Sequence, residues 1–179
     1  MVQPFPNATF ASDRLAMRPQ ATTDAEALFE AYSDVDLMTW WSSAPHSSVD
    51  QTRDYLAART MPSDWRGWTM IDRASGAVVG TLGAHESKPQ VVEIGYLVLR
   101  RFWGQGLAHE GVSRLIELLF ETEGHRRIWA DTDPDNAGSN ALLQRLGFTR
   151  EGHLRAEWET HIGVRDSYIW GLLRDEWRR

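Results

Sequence analysis

The chain has 179 residues, 42% of them from the set AVILMFWYC and 25% charged, a composition that suits an ordinary globular fold able to bury a core without disulfides or metals. A formal charge of -6 argues against a nucleic-acid binder, which would carry a basic face. With no cysteine, disulfides, thiolate metal sites and a cysteine acyl-enzyme are excluded.

Residues 1–10 carry neither a basic n-region nor an apolar h-region, and no apolar run approaches the roughly 18 residues of a membrane span. A cytoplasmic protein with no membrane partner is therefore expected. Residues 14–19 read as a short strand, after which Thr23-Asp24 opens a helix with Ala27, Leu28 and Ala31 on one side. A second helix is expected over residues 49–59. Between them residues 40–48, which begin with Trp40 and Trp41, read as an ordered loop with aromatic anchors.

From Trp65 the pattern changes to strands, at residues 65–72, 77–85 and 91–99. The third is nearly continuously apolar, as expected of a strand covered on both faces, and is the candidate centre of a sheet. Gly106 then opens a helix with Ala108, Val112, Leu115 and Leu119 on one face, stopped at Gly124. A strand follows at residues 127–132, then a short helix at 137–146 ended by Gly147, then strands at 148–158 and 164–173. Without internal repeats, residues 1–179 read as one domain. The pair His109-Glu110 lacks a second histidine four residues after the first, so the zinc-protease motif fails and no metal is expected.

The segment Arg101-Phe102-Trp103-Gly104-Gln105-Gly106-Leu107-Ala108 lies between the buried strand and the amphipathic helix. A helix N-terminus offers unpaired N–H groups and partial positive charge, and glycines let backbone approach a phosphate closely. The same Gly-x-Gly also serves as a plain tight connection. It is not a dinucleotide fingerprint, since the third glycine is missing, and not a P-loop, since no Gly-Lys-Ser/Thr follows.

Taken with its surroundings, this segment resembles motif A of the GNAT acetyltransferases, whose pattern Arg/Gln-x-x-Gly-x-Gly/Ala is matched by Arg101, Gly104 and Gly106. The likeness extends over nearly the whole chain: Arg14-Leu15-Ala16-Met17-Arg18-Pro19, Glu93-Ile94-Gly95-Tyr96, Asn136-x-x-Ser139 with Leu146-Gly147-Phe148, and Arg165-Asp166-Ser167-Tyr168. The ending is similar to that of the ribosomal-protein N-terminal acetyltransferases. This resemblance implies an α/β (α+β) fold, with a mixed, twisted sheet of six or seven strands flanked by helices. The sheet would be splayed so that coenzyme A enters between the central strand and the strand at 127–132. It implies acetyl-CoA as co-substrate, with the pantetheine arm on the backbone of Leu97, Val98 and Leu99. The pyrophosphate would rest on the turn formed by Arg101, Gly104, Gln105, Gly106, Leu107 and Ala108. Asn136 and Ser139 take the positions that approach the pantetheine and the thioester sulfur. Trp40 and Trp41 would border the acceptor cleft.

Acetyl transfer to an amine needs a neutral amine, stabilisation of charge on the carbonyl oxygen, and help for the departing thiolate. Without cysteine, direct attack is the economical mechanism. An N-terminal amine, which ordinarily titrates at about 7.7 to 8.0, is roughly one-tenth neutral near pH 7; a lysine at about 10.4 is under a thousandth neutral. Many family members supply a tyrosine for the thiolate, but that position is Leu143 here, and Ser139 resembles the serine that replaces it. By analogy the oxyanion donor is the amide of Val98 or Leu99. Glu157 resembles the acid that accepts the amine proton, Glu93 is the competing base, and a water chain is the third option. Plain readings stand beside these: Asn136 and Ser139 suit a helix cap, and Glu157 suits a solvent-facing strand. The expected acceptor is a protein N-terminal amine. Alternatives are a small amine such as an antibiotic or polyamine, another acyl-CoA, or a non-catalytic acyl-CoA-binding module. A monomer and a homodimer are equally compatible with the sequence.

Overall fold

The structure, a computed structural model, describes residues 8–60 and 65–178; the leader reading of residues 1–10 falls largely outside them. The elements in chain order are β1 (Phe10–Ala11), β2 (Leu15–Pro19), α1 (Ala25–Tyr32), α2 (Val35–Met38), α3 (Val49–Thr60), β3 (Trp65–Asp72), β4 (Val78–Lys88) and β5 (Val91–Val98). They continue as α4 (Leu107–Glu117), β6 (Arg127–Thr132), α5 (Ala137–Arg145), β7 (Thr149–Thr160) and β8 (Gly163–Leu173). Eight strands form one sheet in the order β1-β2-β3-β4-β5-β6-β8-β7. The eighth strand, beyond the seven expected, is the two-residue β1, which pairs Phe10 with Met17 and Ala11 with Ala16 and is too short to show a period. Among the described residues, no helix is long and apolar enough to cross a membrane.

Alternation along the strands sends side chains to two helical layers. Leu15, Met17, Trp68, Met70, Leu82, Val92, Ile94, Ile128 and Trp170 pack with α4 and α5, joined by Val112, Leu115, Ile116 and Leu143. Leu97 and Leu99 face the other way, into a second core with Leu28, Tyr32, Met38 and Leu56 of α1–α3. The expected α4 face holds: Val112, Leu115 and Leu119 are buried, each side chain contributing about 1.5 to 3 kcal/mol. Gly111 lets α4 sit close on β3, because a Cβ there would lie 2.6 Å from Met70 Sδ. Past Glu117 the helix widens into a π turn over Leu118–Thr122, and Gly124, at φ 78°, reverses the chain.

Buried ionic groups tie the layers. Asp24, at the head of α1, accepts hydrogen bonds from Arg18 of β2, from Thr69 Oγ1 of β3 at 2.6 Å and from the Ala21 amide at 2.9 Å. Burial works to raise its pKa, and the bonds from Arg18, Thr69 and Ala21 outweigh it, holding the carboxyl below its ordinary range. On the far side Arg66 grips Glu123 through both guanidinium nitrogens at 2.7 and 2.8 Å, and His125 Nε2 lies 3.0 Å from the same carboxylate.

One pairing differs from the rest. All neighbours run antiparallel except β5 and β6, which are parallel and matched only at Val91 with Arg127, Val92 with Ile128 and Glu93 with Trp129. Beyond Glu93 the two strands part, although β5 continues to Val98 and β6 to Thr132. The sheet is thus splayed at the central strand, as the resemblance implies.

Candidate active site

The splay opens toward the turn after β5. Leu99 leads through a short 3-10 turn, Arg100–Phe102, to Gly104 and Gly106, both left-handed at φ 73° and 76°, and Gly106 is the N-cap of α4. Two left-handed residues in three positions need glycine. Nothing lies within 4 Å of a Cβ built on Gly104, so the backbone here is open to a ligand. Arg14, just before β2, braces the turn, donating to the Gln105 carbonyl at 2.9 Å and to Glu110 at 2.7 Å. The two arginines lean away from the turn: Arg100 bonds Asp34 at 2.6 and 2.8 Å, and Arg101 pairs with Glu30 of α1. Gln105 Nε2 donates back to the Arg101 carbonyl at 3.0 Å.

Register decides which β5 backbone groups line the splay. The Leu99 amide donates to Val79 O at 2.9 Å, and β4 and β5 pair Thr81 with Leu97, Gly83 with Gly95 and Gly80 with Val98. In an antiparallel ladder the bonded pairs alternate. Glu93, Gly95 and Leu97 therefore turn their backbone groups to β4, as does the Leu99 amide, while Ile94, Tyr96 and Val98 turn theirs toward β6; the Ile94 amide closes the last bridge, at Trp129, and the groups of Tyr96 and Val98 face the opening. Of the expected trio Val98 faces the cleft, whereas the Leu97 backbone and the Leu99 amide are turned to β4 and the Leu99 carbonyl accepts the Phe102 amide at 2.9 Å. The Val98 carbonyl accepts the indole N–H of Trp103 at 2.8 Å.

Opposite β5, the first turn of α5 is fixed by its neighbours. Arg165 of β8 holds Asp133 at 2.7 and 2.9 Å and Asp135 at 2.7 Å, and Asn140 Nδ2 donates to the Asp133 and Pro134 carbonyls at 3.2 and 3.1 Å. Asn136 caps the helix, its Oδ1 accepting the Ser139 amide at 3.1 Å. The Ser139 side chain takes no part in that cap. Its Oγ lies 2.6 Å from the phenol oxygen of Tyr96, so a hydrogen bond joins β5 to α5 across the opening. Burial pushes the Tyr96 phenol up to about 12, the bond to Ser139 opposing it. Tyr96 ends the segment Glu93-Ile94-Gly95-Tyr96, where residue type alone gives it no role. Its odd spacing from Glu93, which puts the two on opposite faces of β5, is the one signal the sequence holds.

Glu93 faces the α1–α3 side. Its neighbours are His85, paired across β4, and Trp129, paired across β6. Trp65 stacks on His85 with ring centroids 5.4 Å apart and lies over Gly83 and Gly95. Burial first, and the nearby Asp131 carboxylate second, push the Glu93 carboxyl up to about 7, with His85 opposing. Asp131 itself accepts the Trp158 indole N–H at 2.7 Å and the Ser167 hydroxyl at 3.2 Å. Two carboxylates and aromatic walls thus gather at the root of the splay. Glu157, by contrast, is exposed within an irregular stretch of β7, between Leu154 and Trp158, where Ala156 adopts φ 53°. His85, Asp131 and Trp158 were not singled out from the sequence, because strands from distant segments bring them together.

The two loop tryptophans separate. Trp41 donates its indole N–H to Tyr55 Oη at 3.1 Å and packs edge-on to Tyr32, which stacks on His46 at 5.0 Å. It belongs to an aromatic knot that anchors residues 40–48. Trp40 remains 37% exposed.

A parted sheet with a glycine turn and helix N-terminus at one side of the opening, and an acidic cluster at its root, is the architecture of a group-transfer enzyme. The chain belongs to the GNAT acetyltransferases: the family described as Acetyltransferase (GNAT) domain matches residues 14–149. It is an acetyl-CoA-dependent acetyltransferase. The chain is 30% identical to a protein named uncharacterized N-acetyltransferase p20 from Bacillus licheniformis, over 94% of this chain and 98% of that one. It is 32% identical to the ribosomal protein uS5-alanine N-acetyltransferase of Escherichia coli, over 38% of this chain and 39% of that one. A structure of a probable GNAT acetyltransferase from Chromobacterium violaceum superposes with a TM-score of 0.87 at 26% identity, covering 96% of this chain and 89% of that one. The spermidine N-acetyltransferase of Vibrio cholerae, solved with CoA and spermine, shares the fold at a TM-score of 0.80 and 18% identity, covering 92% of this chain and 98% of that one.

Proposed function

We propose that this acetyltransferase acts on the α-amine of a protein N-terminus, by direct transfer with no acyl-enzyme. The observation that carries the reading is the placement of Glu93, whose carboxyl sits near neutrality at the root of the splay. A base with a pKa of about 7 matches an acceptor whose ammonium titrates at about 7.7 to 8.0 far better than one at about 10.4. The partial likeness to the ribosomal-protein alanine acetyltransferase supports the same acceptor.

In this reading the amine approaches from the α1–α3 face, past the exposed Trp40, and Glu93 accepts its proton, directly or through water. The second carboxylate, Asp131, favours the cationic form of an arriving amine. Acetyl-CoA is held on the opposite side of the parting: its pyrophosphate on the amides of the Gly104, Gln105, Gly106, Leu107 and Ala108 turn, with Arg101 released from Glu30 to join it. The Val98 amide stabilises charge on the carbonyl oxygen. Asn136 contributes its amide nitrogen, and Ser139 donates to the sulfur. Glu157 lies outside this set and has no part in proton transfer.

A polyamine acceptor is the second reading, favoured by the two adjacent carboxylates and by the structural neighbour solved with spermine. Incubating the protein with acetyl-CoA and an equimolar mixture of N-terminally free peptides, Nα-blocked lysine peptides and spermidine decides between them. The expected result is at least tenfold faster acetylation of free N-termini by mass spectrometry. Predominant modification of spermidine or lysine side chains would overturn the proposal.

A further inference from the structure

The Tyr96–Ser139 contact lies in the opening itself. Tyr96 stands three residues past the last residue of β5 that pairs with β6, and Ser139 in the first turn of the helix that follows β6. Their 2.6 Å hydrogen bond is a side-chain bridge placed where the backbone ladder has ended. Its direction follows from chemistry. Either hydroxyl can donate in this pair, but a phenol is a stronger acid than an aliphatic hydroxyl and burial keeps this one protonated at neutral pH, which makes Tyr96 the better donor. A serine hydroxyl has one proton to give and two lone pairs. With one lone pair filled by Tyr96, the Ser139 O–H turns away from the tyrosine. The Ser139 amide is already held by Asn136, which fixes the serine backbone while the hydroxyl rotates.

We propose that Tyr96 is a positioning residue for acetyl transfer, its phenol setting the Ser139 hydroxyl so that the serine proton points at the departing sulfur. The proposal rests on the reading of Ser139 as the sulfur's hydrogen-bond donor. The amine lone pair forms the C–N bond, the C–S bond breaks, and sulfur leaves with the electron pair as a thiolate that accepts the serine hydrogen bond. The amine proton goes to Glu93 and the thiolate is protonated later from water. Tyr96 keeps its proton throughout. Its pKa of about 12 lies well above that of an ordinary thiol, at about 8.5, which makes it an orienting donor rather than an acid. It thus takes over part of the task that a tyrosine at position 143 would perform, from the opposite wall of the cleft.

The test is a double-mutant cycle on the full chain with a fixed peptide acceptor. Tyr96→Phe keeps the ring and its packing. We expect Tyr96→Phe and Ser139→Ala each to lower kcat by about 10- to 100-fold with KM for acetyl-CoA within threefold of the parent. The double variant should be no more than threefold slower than Ser139→Ala alone, because the phenol acts only through the serine. Melting curves run alongside separate folding from turnover. If Ser139→Ala is slow but Tyr96→Phe turns over within threefold of the parent, the Tyr96 proposal fails while the serine reading stands. Fully multiplicative losses overturn it too, since Tyr96 would then act independently. Near-normal turnover of Ser139→Ala would remove both.

Discussion

Glu93 carries the clearest consequence at the level of single residues. Its carboxyl is raised from about 4.5 in an open chain to about 7 by burial and by Asp131. Because the folded-state pKa is the higher one, the native protein binds more protons than the unfolded chain between these values. Stability contributed at this site is therefore present at low pH and declines as the pH rises from about 4.5 through about 7. Glu93→Gln, which resembles the protonated form, should melt close to the parent at pH 5 and above it at pH 8. The same substitution should lower kcat/KM at least tenfold and erase the rising limb of its pH profile near pH 7. Glu157→Gln should stay within threefold at every pH. A melting difference that does not grow between pH 5 and 8 would contradict the raised pKa, and a slow Glu157→Gln would return the base to β7. The sequence made both carboxylates candidates, Glu157 first by resemblance and Glu93 as its competitor, and left the choice to geometry. Strand pairing sets Glu93 beside His85 and Trp129, with Trp65 stacked on His85, and no local pattern shows that these distant segments meet there.

Elements were legible to the degree that their pattern was local. The Gly104–Gly106 turn, the buried face of α4 and the cap at Asn136 rest on neighbours within a few residues, and periodicity or residue type announces them. The strand at β7 is legible in the sequence, but its irregular pairing between Arg150 and Gly152 and again between Leu154 and Trp158 has no such signature, because a bulge depends on what its partner strand needs. Residue-level backbone roles on β5 were hidden for a related reason, since only the register with β4 decides which amides face the cleft. The α4 turn gives a direct test. Gly106 has room for a side chain, its nearest neighbour being Arg14 at 3.6 Å from a built Cβ, but its φ is 76°. Gly106→Val should therefore fold at a cost of about 1 to 2 kcal/mol. Coenzyme A at 100 times its Kd stabilises by about 2.7 kcal/mol, or about 5 to 10 °C in a protein of this size. That shift should vanish in Gly106→Val and persist in the parent; an undiminished shift would detach the turn from the cofactor.

At the level of the whole molecule, the sheet is two antiparallel blocks, β1–β5 and β6–β8, joined through three matched positions of one parallel pair. Inter-strand bonds normally shield amide hydrogens from solvent, and the rate at which each exchanges for deuterium reports that shielding. The parting leaves alternate residues of a central strand without that shield. Amides of Tyr96 and Val98 should therefore exchange faster than those of Gly95 and Leu97, although all four lie in the middle of an eight-stranded sheet. Adding coenzyme A should slow the first two and leave the other two unchanged, a comb-like footprint along one strand. Uniform slowing across residues 95–98 would mean instead that the two blocks close on each other. The alternating trace would mean that the small molecule, for as long as it stays, serves as the missing strand.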